Sequence, residues 1–362
     1  MSIDNSDHIL EQVKTAFGKK SPLRISAGDS KSFYGNHVEG DVVSTEGHTG
    51  IITYQPSELV ITVRSGTLLS ELESELKANR QMLAFEPPQH SATSTIGGAI
   101  ACGLSGPRRM ACGAARDFVL GTTIINGKAE KLRFGGQVMK NVAGYDASRL
   151  MVGAQGTLGI LLDLSIKVLP MSEAEVTLQF NTELITAISH LRQWIKQGLP
   201  ITASCFTDNT LTLRLSSTSS AVKASTAIIQ TLFDSEEFSN DFWLSIKNQS
   251  HAFFAANNLA KDQLLWRCSH QTNTHFYPDD NDTGDQLIEW NGALRWIKSN
   301  KTLYNDAEKH NGHATLYPIN QANLHTDIFQ RMQPALMKIQ QRMKQAFDPE
   351  SILNTGRLYT DL

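Results

Sequence analysis

Gly153-Ala154-Gln155-Gly156-Thr157-Leu158-Gly159-Ile160 decides how this chain is read. It closes a stretch in which glycine-rich turns alternate with short β-like segments, beginning at Gly97-Gly98 and passing through Gly103, Gly106, Gly113, Gly135-Gly136 and Gly144. Glycine on both sides of a run such as Phe118–Ile125 marks backbone that turns sharply or lies close to something. Without a Cβ, such backbone can aim its N–H groups at anionic or carbonyl oxygens. The stretch suits a large, flat, phosphate-bearing ligand. The closing run is spaced GxxGxxG, which fails the GxGxxG pattern of a Rossmann turn, so a nicotinamide-binding first half is disfavoured.

Working outward, 362 residues exceed one ordinary core, so two structural units are expected. A hydrophobic content of 40% with 19% charged residues excludes a disordered scaffold. The formal net charge of -3 gives no electrostatic reason to bind nucleic acid or an anionic membrane. The pairs Lys19-Lys20 and Arg108-Arg109 are too short to change that. Cys102, Cys112, Cys205 and Cys268 form no CxxC and no zinc spacing, which reads as free thiols in a reducing compartment and no iron–sulfur cluster in this chain. Met1 to Ala16 carries Asp4, Asp7 and Glu11 and lacks a signal-peptide apolar region. The apolar stretch Leu150–Leu162 is broken by glycines and ends at Asp163, short of a bilayer span. A cytoplasmic chain is expected, able to dock on the inner membrane face through a complex.

The element pattern reads as α+β. Ile9–Phe17 is an amphipathic helix ended by Gly18, and Leu23–Ser26 is a strand entering the polar turn Ala27–Ser32. Gly50–Tyr54 and Leu59–Val63 are strands around Gln55-Pro56-Ser57. Thr67 can cap a helix whose Leu68, Leu72 and Leu76 share a face. Strands resume from Phe118 to Leu169. From about Ser172 glycine becomes scarce and helical runs appear at Leu184–Lys196, Ser219–Phe233 and Pro334–Phe347, with a strand at Leu211–Leu215. The boundaries expected are a first unit over 1–171, a smaller one over 172–345 and a tail over 346–362.

Four constellations carry candidate chemistry. In Ser26-Ala27-Gly28-Asp29-Ser30-Lys31-Ser32, consecutive N–H groups and serine hydroxyls can form an anion-binding nest. Asp29 would repel a phosphate if it faced one. Ser94-Thr95-Ile96-Gly97-Gly98-Ala99, behind the Pro87-Pro88 turn, lets backbone pass a diphosphate or a ring. In Lys140–Asp146, Tyr145 can lie against a ring and Asp146 can anchor a loop. The Gly153–Ile160 run is the fourth.

In this order the four resemble the flavin domain of FAD-linked oxidases of the vanillyl-alcohol oxidase, or PCMH, type. That resemblance implies two small α+β subdomains clasping an extended FAD, with a smaller α+β cap. Pro56–Thr67 looks like the strand-turn-helix before the flavin site. Gly153–Ile160 looks like a Gly-Ser-Glu-Gly-Thr-Leu-Gly-Ile run whose backbone lies against the isoalloxazine. The likeness sharpens to the family of the E subunit of bacterial glycolate oxidase. Gly106-Pro107-Arg108-Arg109 with Arg116-Asp117, Lys140–Asp146, Leu287–Trp296 and Gly312–Leu316 match it, as do Phe347-Asp348-Pro349 and Asn354–Tyr359. The family's tail returns to the flavin domain.

The resemblance implies FAD bound through Ser26, Gly28, Asp29, Ser30, Pro88, Ser94, Thr95, Gly97, Gly98, Gly113, Arg116, Asp117, Gly144, Tyr145, Gly153, Gly156, Gly159 and Ile160. Binding is expected to be noncovalent, with His90 a remote attachment candidate. No metal is expected, since the His-x-Gly-Asp-Gly-Asn-x-His site of related D-2-hydroxy-acid dehydrogenases is missing. The pyrophosphate turn departs from Arg-Gly-Gly-Asn-Ser, with Ser26 for the cation and Ala27 for a glycine; Gln155 replaces the usual Glu. Gly156→Val is expected to put bulk where the ring lies.

The implied reaction is glycolate to glyoxylate by hydride transfer to flavin N5. Electrons then pass to a larger FAD-linked subunit and an iron–sulfur subunit. His313 is the candidate base, because removing the hydroxyl proton assists hydride departure. Arg267 and Arg295 are candidate clamps for a substrate carboxylate, Trp290 and Trp296 candidate core, and His270 with His275 a weak metal pair. Two rivals stay open: a free-standing dehydrogenase of another 2-hydroxy acid such as D-lactate, and a non-catalytic or electron-relay subunit.

Overall fold

Ser6–Lys19 forms the first helix in the computed structural model, which describes residues 2–136, 146–255, 258–260, 263–272, 286–318 and 327–362. Asp4 accepts the Ser6 N–H at 3.0 Å and starts the helix earlier than expected. Ile9, Val13 and Ala16 bury one face. Gly18 does not end it; Lys20, left-handed at φ 52°, closes it by donating to the carbonyls of Ala16 and Phe17.

The chain divides into two units. The first comprises Met1–Leu104, Ala114–Pro170 and Thr326–Leu362. Its five-stranded antiparallel sheet runs, in spatial order, Ile51–Gln55, Val60–Arg64, Ile160–Lys167, Val119–Ile125, Lys131–Gly135. A parallel pair, Leu23–Ser26 with Asp41–Ser44, packs with the first helix around Ile9, Val13, Leu23, Val43, Ile125, Ile160 and Leu162. The helix Leu69–Ala78 buries Leu69, Leu72 and Leu76. Thr67 is not its cap: its hydroxyl accepts the Gly50 N–H at 2.8 Å, tying the helix entry to the neighbouring strand.

The returning segment begins at Thr326, ahead of the expected 346, and includes the helix Pro334–Phe347. One buried side chain ties this helix to the first unit. Lys344 Nζ donates to the carbonyls of Thr157 and Leu353 and meets Asp348 at 2.7 Å. Asp348, fully buried, also accepts the N–H groups of Ile352 and Leu353.

The second unit comprises Ser105–Gly113 and Met171–His325. The early segment belongs here because Arg108 pairs with Glu175 at 2.8 Å and Trp290 Nε1 donates to the Gly106 carbonyl at 3.0 Å. The unit is built on an eight-stranded antiparallel sheet: Glu236–Phe238, Ala174–Asn181, Thr210–Ser217, Ile201–Thr207, Gln286–Glu289, Leu294–Ser299, Leu264–Ser269, His313–Leu316. The helices Leu184–Lys196 and Ser219–Gln230 pack Leu191, Trp194, Val222 and Ile229 against one of its faces. Among the described residues no helix is long and apolar enough to cross a membrane.

Candidate cofactor site

The strand Leu23–Ser26 delivers the chain into the turn 27–32, where the first unit concentrates its polar backbone. A Cβ on Gly28 would overlap the Thr93 carbonyl, so only glycine lets these two loops touch. Thr93 Oγ1 donates to the Gly28 carbonyl at 2.6 Å, and Ser94 Oγ donates to Ser30 Oγ at 2.9 Å. The hydroxyl proton of Ser30 is thereby left for another acceptor. Asp29 turns outward: it is exposed, left-handed at φ 43°, and its carboxylate lies 3.4 Å from Arg24 Nη1. The repulsion it could exert on a phosphate is directed to solvent.

The tail braces this turn. Arg357 donates to the carbonyls of Lys31, Ser32, Tyr34, Gly35 and Asn36, and its Nε donates to Gln155 Oε1 at 3.0 Å. Asn354 accepts the Ile25 N–H at 2.8 Å and donates to the Gln155 carbonyl at 2.7 Å. The Gly153–Ile160 run docks in turn on the end of the helix Ile96–Cys102. The N–H groups of Gly153 and Gln155 donate to the carbonyls of Ile100 and Ala101. The turn, the 91–95 loop, the end of that helix, the glycine run and the tail therefore form one hydrogen-bonded assembly within the first unit.

Lys31 lies inside it and is only 6% exposed. Burial lowers its pKa, offset in part by Cys102. Cys102 gives no counter-ion, because burial raises its thiol pKa despite the charges of Lys31 and Arg357. Among the described residues no acceptor or carboxylate reaches Lys31 Nζ. His90 is pushed down to about 4 by burial and by Lys31, so it is neutral at physiological pH. A largely buried lysine with no acceptor among the described residues, on a turn where the Ser30 hydroxyl proton is also unclaimed, fits an anionic cofactor. In the sequence Lys31 is one polar residue of the turn among several, and a lysine directly following a nest is the signal that marks it.

The other expected site residues separate into groups. Thr95 caps the helix Ile96–Cys102, accepting the Gly98 N–H at 3.1 Å, and Gly97 packs on Ser65. Pro88 is buried in the turn before His90, and Ile160 lies in the core behind Gly159. A Cβ on Gly156 would meet Ile25 Cδ1 at 2.8 Å and Asn354 Nδ2 at 2.9 Å. Bulk there breaks the tail bridge, which differs from the expected intrusion on a ring. A Cβ on Gly153 would meet nothing within 4 Å. Asp117 accepts the Ala114 N–H at 2.8 Å, and like Arg116 it is exposed. Gly113 belongs to the second unit. Gly144, Tyr145 and His275 lie outside the described residues.

In the second unit, strand register decides the arginine question. Arg267 is paired with Trp296 and Thr315, whereas Arg295 is paired with Cys268, the residue next to Arg267. Successive residues of a strand face opposite ways, so the two arginines lie on opposite faces and cannot grip one carboxylate together. His313, paired with Ser269, shares the face of Arg267. It is exposed, yet surrounding protein and then the Arg267 charge lower its pKa and hold the imidazole neutral. The Arg267 guanidinium lies 5.0 Å from the Trp290 ring and 5.8 Å from the Trp296 ring. Trp290 and Trp296 are both buried. Among the described residues no group of three His, Cys, Asp or Glu is placed to hold a metal.

A family model described as an FAD binding domain matches residues 2–135. The solved structure of p-cresol methylhydroxylase with substrate bound aligns at a TM-score of 0.70 with 12% identity, covering 99% of this chain and 88% of that one. A structure of alkyldihydroxyacetonephosphate synthase aligns at 0.67 with 16% identity, covering 96% and 75%. These show the PCMH-type FAD-binding fold. The glycolate oxidase subunit GlcD of Bacillus subtilis (strain 168) is 35% identical over 41% of this chain and 32% of its own length. The glycolate oxidase subunit GlcE of Escherichia coli (strain K12) is 42% identical over 99% of both chains. The chain belongs to the GlcE family of FAD-linked oxidoreductase subunits.

Proposed function

We propose that this chain is the GlcE-type subunit of a glycolate oxidase and carries noncovalent FAD in its first unit. The observation that supports this best is the 42% identity running the whole length of both chains, second unit included. The turn Ser26–Ser32, with Ser94 beside it, would hold the diphosphate. The backbone of Gly153–Gly159, with Gly97, Gly98 and Thr95 on the neighbouring helix, would hold the flavin ring.

FAD, when bound, would supply the acceptor for a hydride leaving the α-carbon of glycolate. The chain's own work is to position the substrate and manage its proton. Arg267 has a guanidinium whose position is fixed by two indoles and suits a carboxylate. His313, neutral and on the same face, takes the hydroxyl proton at a ring nitrogen. The partners are a larger GlcD-type subunit, itself related to this chain over part of its length, and an iron–sulfur subunit that carries the electrons onward. Association with the inner membrane face is through that complex.

A second reading rests on the same relationship. Because a GlcD relative shares sequence with this chain, substrate oxidation can reside on the partner and this chain can relay electrons. Anaerobic addition of glycolate to the purified chain separates the two. Bleaching of its bound flavin supports oxidation here. A flavin that stays oxidised alone, but is reduced when the partner is added, assigns oxidation to the partner and sinks the roles given to His313 and Arg267.

A further inference from the structure

We infer that Lys31 supplies the positive charge for the FAD diphosphate at this turn. The inference rests on the assignment of FAD to this turn and adds the residue that makes binding there favourable. Ser26, which opens the turn, is uncharged, and its hydroxyl donates to the neighbouring Ala27 carbonyl at 3.3 Å. A dianionic diphosphate set against backbone N–H groups and one serine hydroxyl would be poorly neutralised.

Other nearby cations do not fill the gap. Arg357 spends its donors on five loop carbonyls and Gln155. Arg24 is turned to the exposed carboxylate of Asp29. His90 is neutral because its pKa lies near 4. That leaves Lys31, five residues after Ser26, buried on the same turn and without an acceptor among the described residues.

The backbone explains how the charge is held in place. Arg357 Nη2 fixes the Lys31 carbonyl, and the Tyr34 N–H bonds the same oxygen at 3.0 Å. The zipped contacts Thr93–Gly28 and Ser94–Ser30 fix the turn on the other side. Lys31 therefore departs from a braced backbone, with most of its side chain enclosed by protein. Without an anion this position disfavours the folded chain; with one it becomes a charge-assisted contact in a site of low polarity.

The test is a set of titrations on the flavin-free full-length chain with FAD, with riboflavin, which lacks phosphate, and with inorganic diphosphate as competitor. Flavin fluorescence reports binding and thermal melting reports the fold. Lys31→Met should weaken FAD by about ten- to a hundredfold, the scale of one charged hydrogen bond, and leave riboflavin unchanged. Lys31→Arg should retain most of the affinity. The melting temperature of flavin-free Lys31→Met should rise above wild type, because a buried unpaired charge has been replaced by an apolar chain of similar length. On the wild-type chain, diphosphate should displace FAD but not riboflavin, which tests the inference even if a variant folds poorly. Equal loss of FAD and riboflavin in Lys31→Met would assign Lys31 to the ring or the fold and overturn it. So would unchanged FAD affinity, or no competition by diphosphate. Riboflavin and FAD both failing to bind the wild-type chain would instead remove the underlying FAD assignment.

Discussion

Lys344 and Lys31 are both buried lysines of the first unit, yet they dispose of their charge in opposite ways. Lys344 Nζ meets a carboxylate and two carbonyls, all from chain segments it holds together. Lys31 Nζ meets none among the described residues. Burial lowers the pKa of both, so neither position is comfortable for an ammonium. The difference is what compensates. Around Lys344 the protein provides every partner, and the result is a knot that brings the tail back to the glycine run. Around Lys31 the protein provides a rigid turn and leaves the partner to a ligand. A cation already satisfied marks architecture, and one left waiting marks a binding site.

Breaking the knot should have the largest effect. Asp348→Ala leaves Lys344 buried without its carboxylate and takes the acceptor from the N–H groups of Ile352 and Leu353. A loss of about 3–5 kcal/mol is expected, read as a lowered urea midpoint. A loss below about 1 kcal/mol would mean that water reaches Lys344 and that the contrast with Lys31 is false.

Gly156→Val comes next and separates packing from cofactor contact. At φ +76°, with Ile25 and Asn354 against the added carbon, the variant should lose about 2–4 kcal/mol of stability even without flavin. Flavin content should fall along with the melting temperature. Lost colour with unchanged stability would restore the reading in which the substituent enters the ring's own space.

The flavin half of this chain was far more legible than the other. Its turns need glycine, so Gly28 and the Gly153–Gly159 run stand out in the sequence, and the helix Pro334–Phe347 carries its apolar spacing and an N-terminal proline. The second unit hid its sheet. Leu294–Ser299 is buried at all six positions, lysine and arginine included, so it shows no alternation to read. With the strands unread, Arg267 and Arg295 looked like partners, and only the pairing of Cys268 with Arg295 places them on opposite faces. Thr67 looked like a cap because its spacing was right; the nearby Gly50 N–H claimed its oxygen. Lys31 and Lys344 are ordinary lysines in sequence, because burial is a property of the distant segments that enclose them.

The two arginines give a sharper contrast in the second unit. If substrate is oxidised here, Arg267→Met should raise KM for glycolate about ten- to a hundredfold, the scale of a charged hydrogen bond to carboxylate, with flavin content unchanged. Arg295→Met, on the other face, should leave KM within about twofold and act on stability alone. Equal KM changes would show that the sheet register does not divide their roles.

The last expected effect concerns pH and returns to Lys31. His90 has a folded-state pKa near 4, below the ordinary histidine value of 6.5, with burial the larger cause and the Lys31 ammonium the second. Between those values the unfolded chain takes up a proton that the folded chain refuses, so stability falls as pH drops from about 6.5 to 4 and stops falling on this account below that. Carboxylates titrate over part of the same range, so the signal is the difference between wild type and His90→Gln, expected at about 3 kcal/mol by pH 4 in the flavin-free chain. Lys31→Met should shrink that difference, because removing the facing ammonium lets His90 protonate more readily. Bound FAD should shrink it too if the diphosphate answers Lys31. A His90 contribution indifferent to both changes would mean that burial alone sets its pKa and that the Lys31 charge is already screened in the empty site.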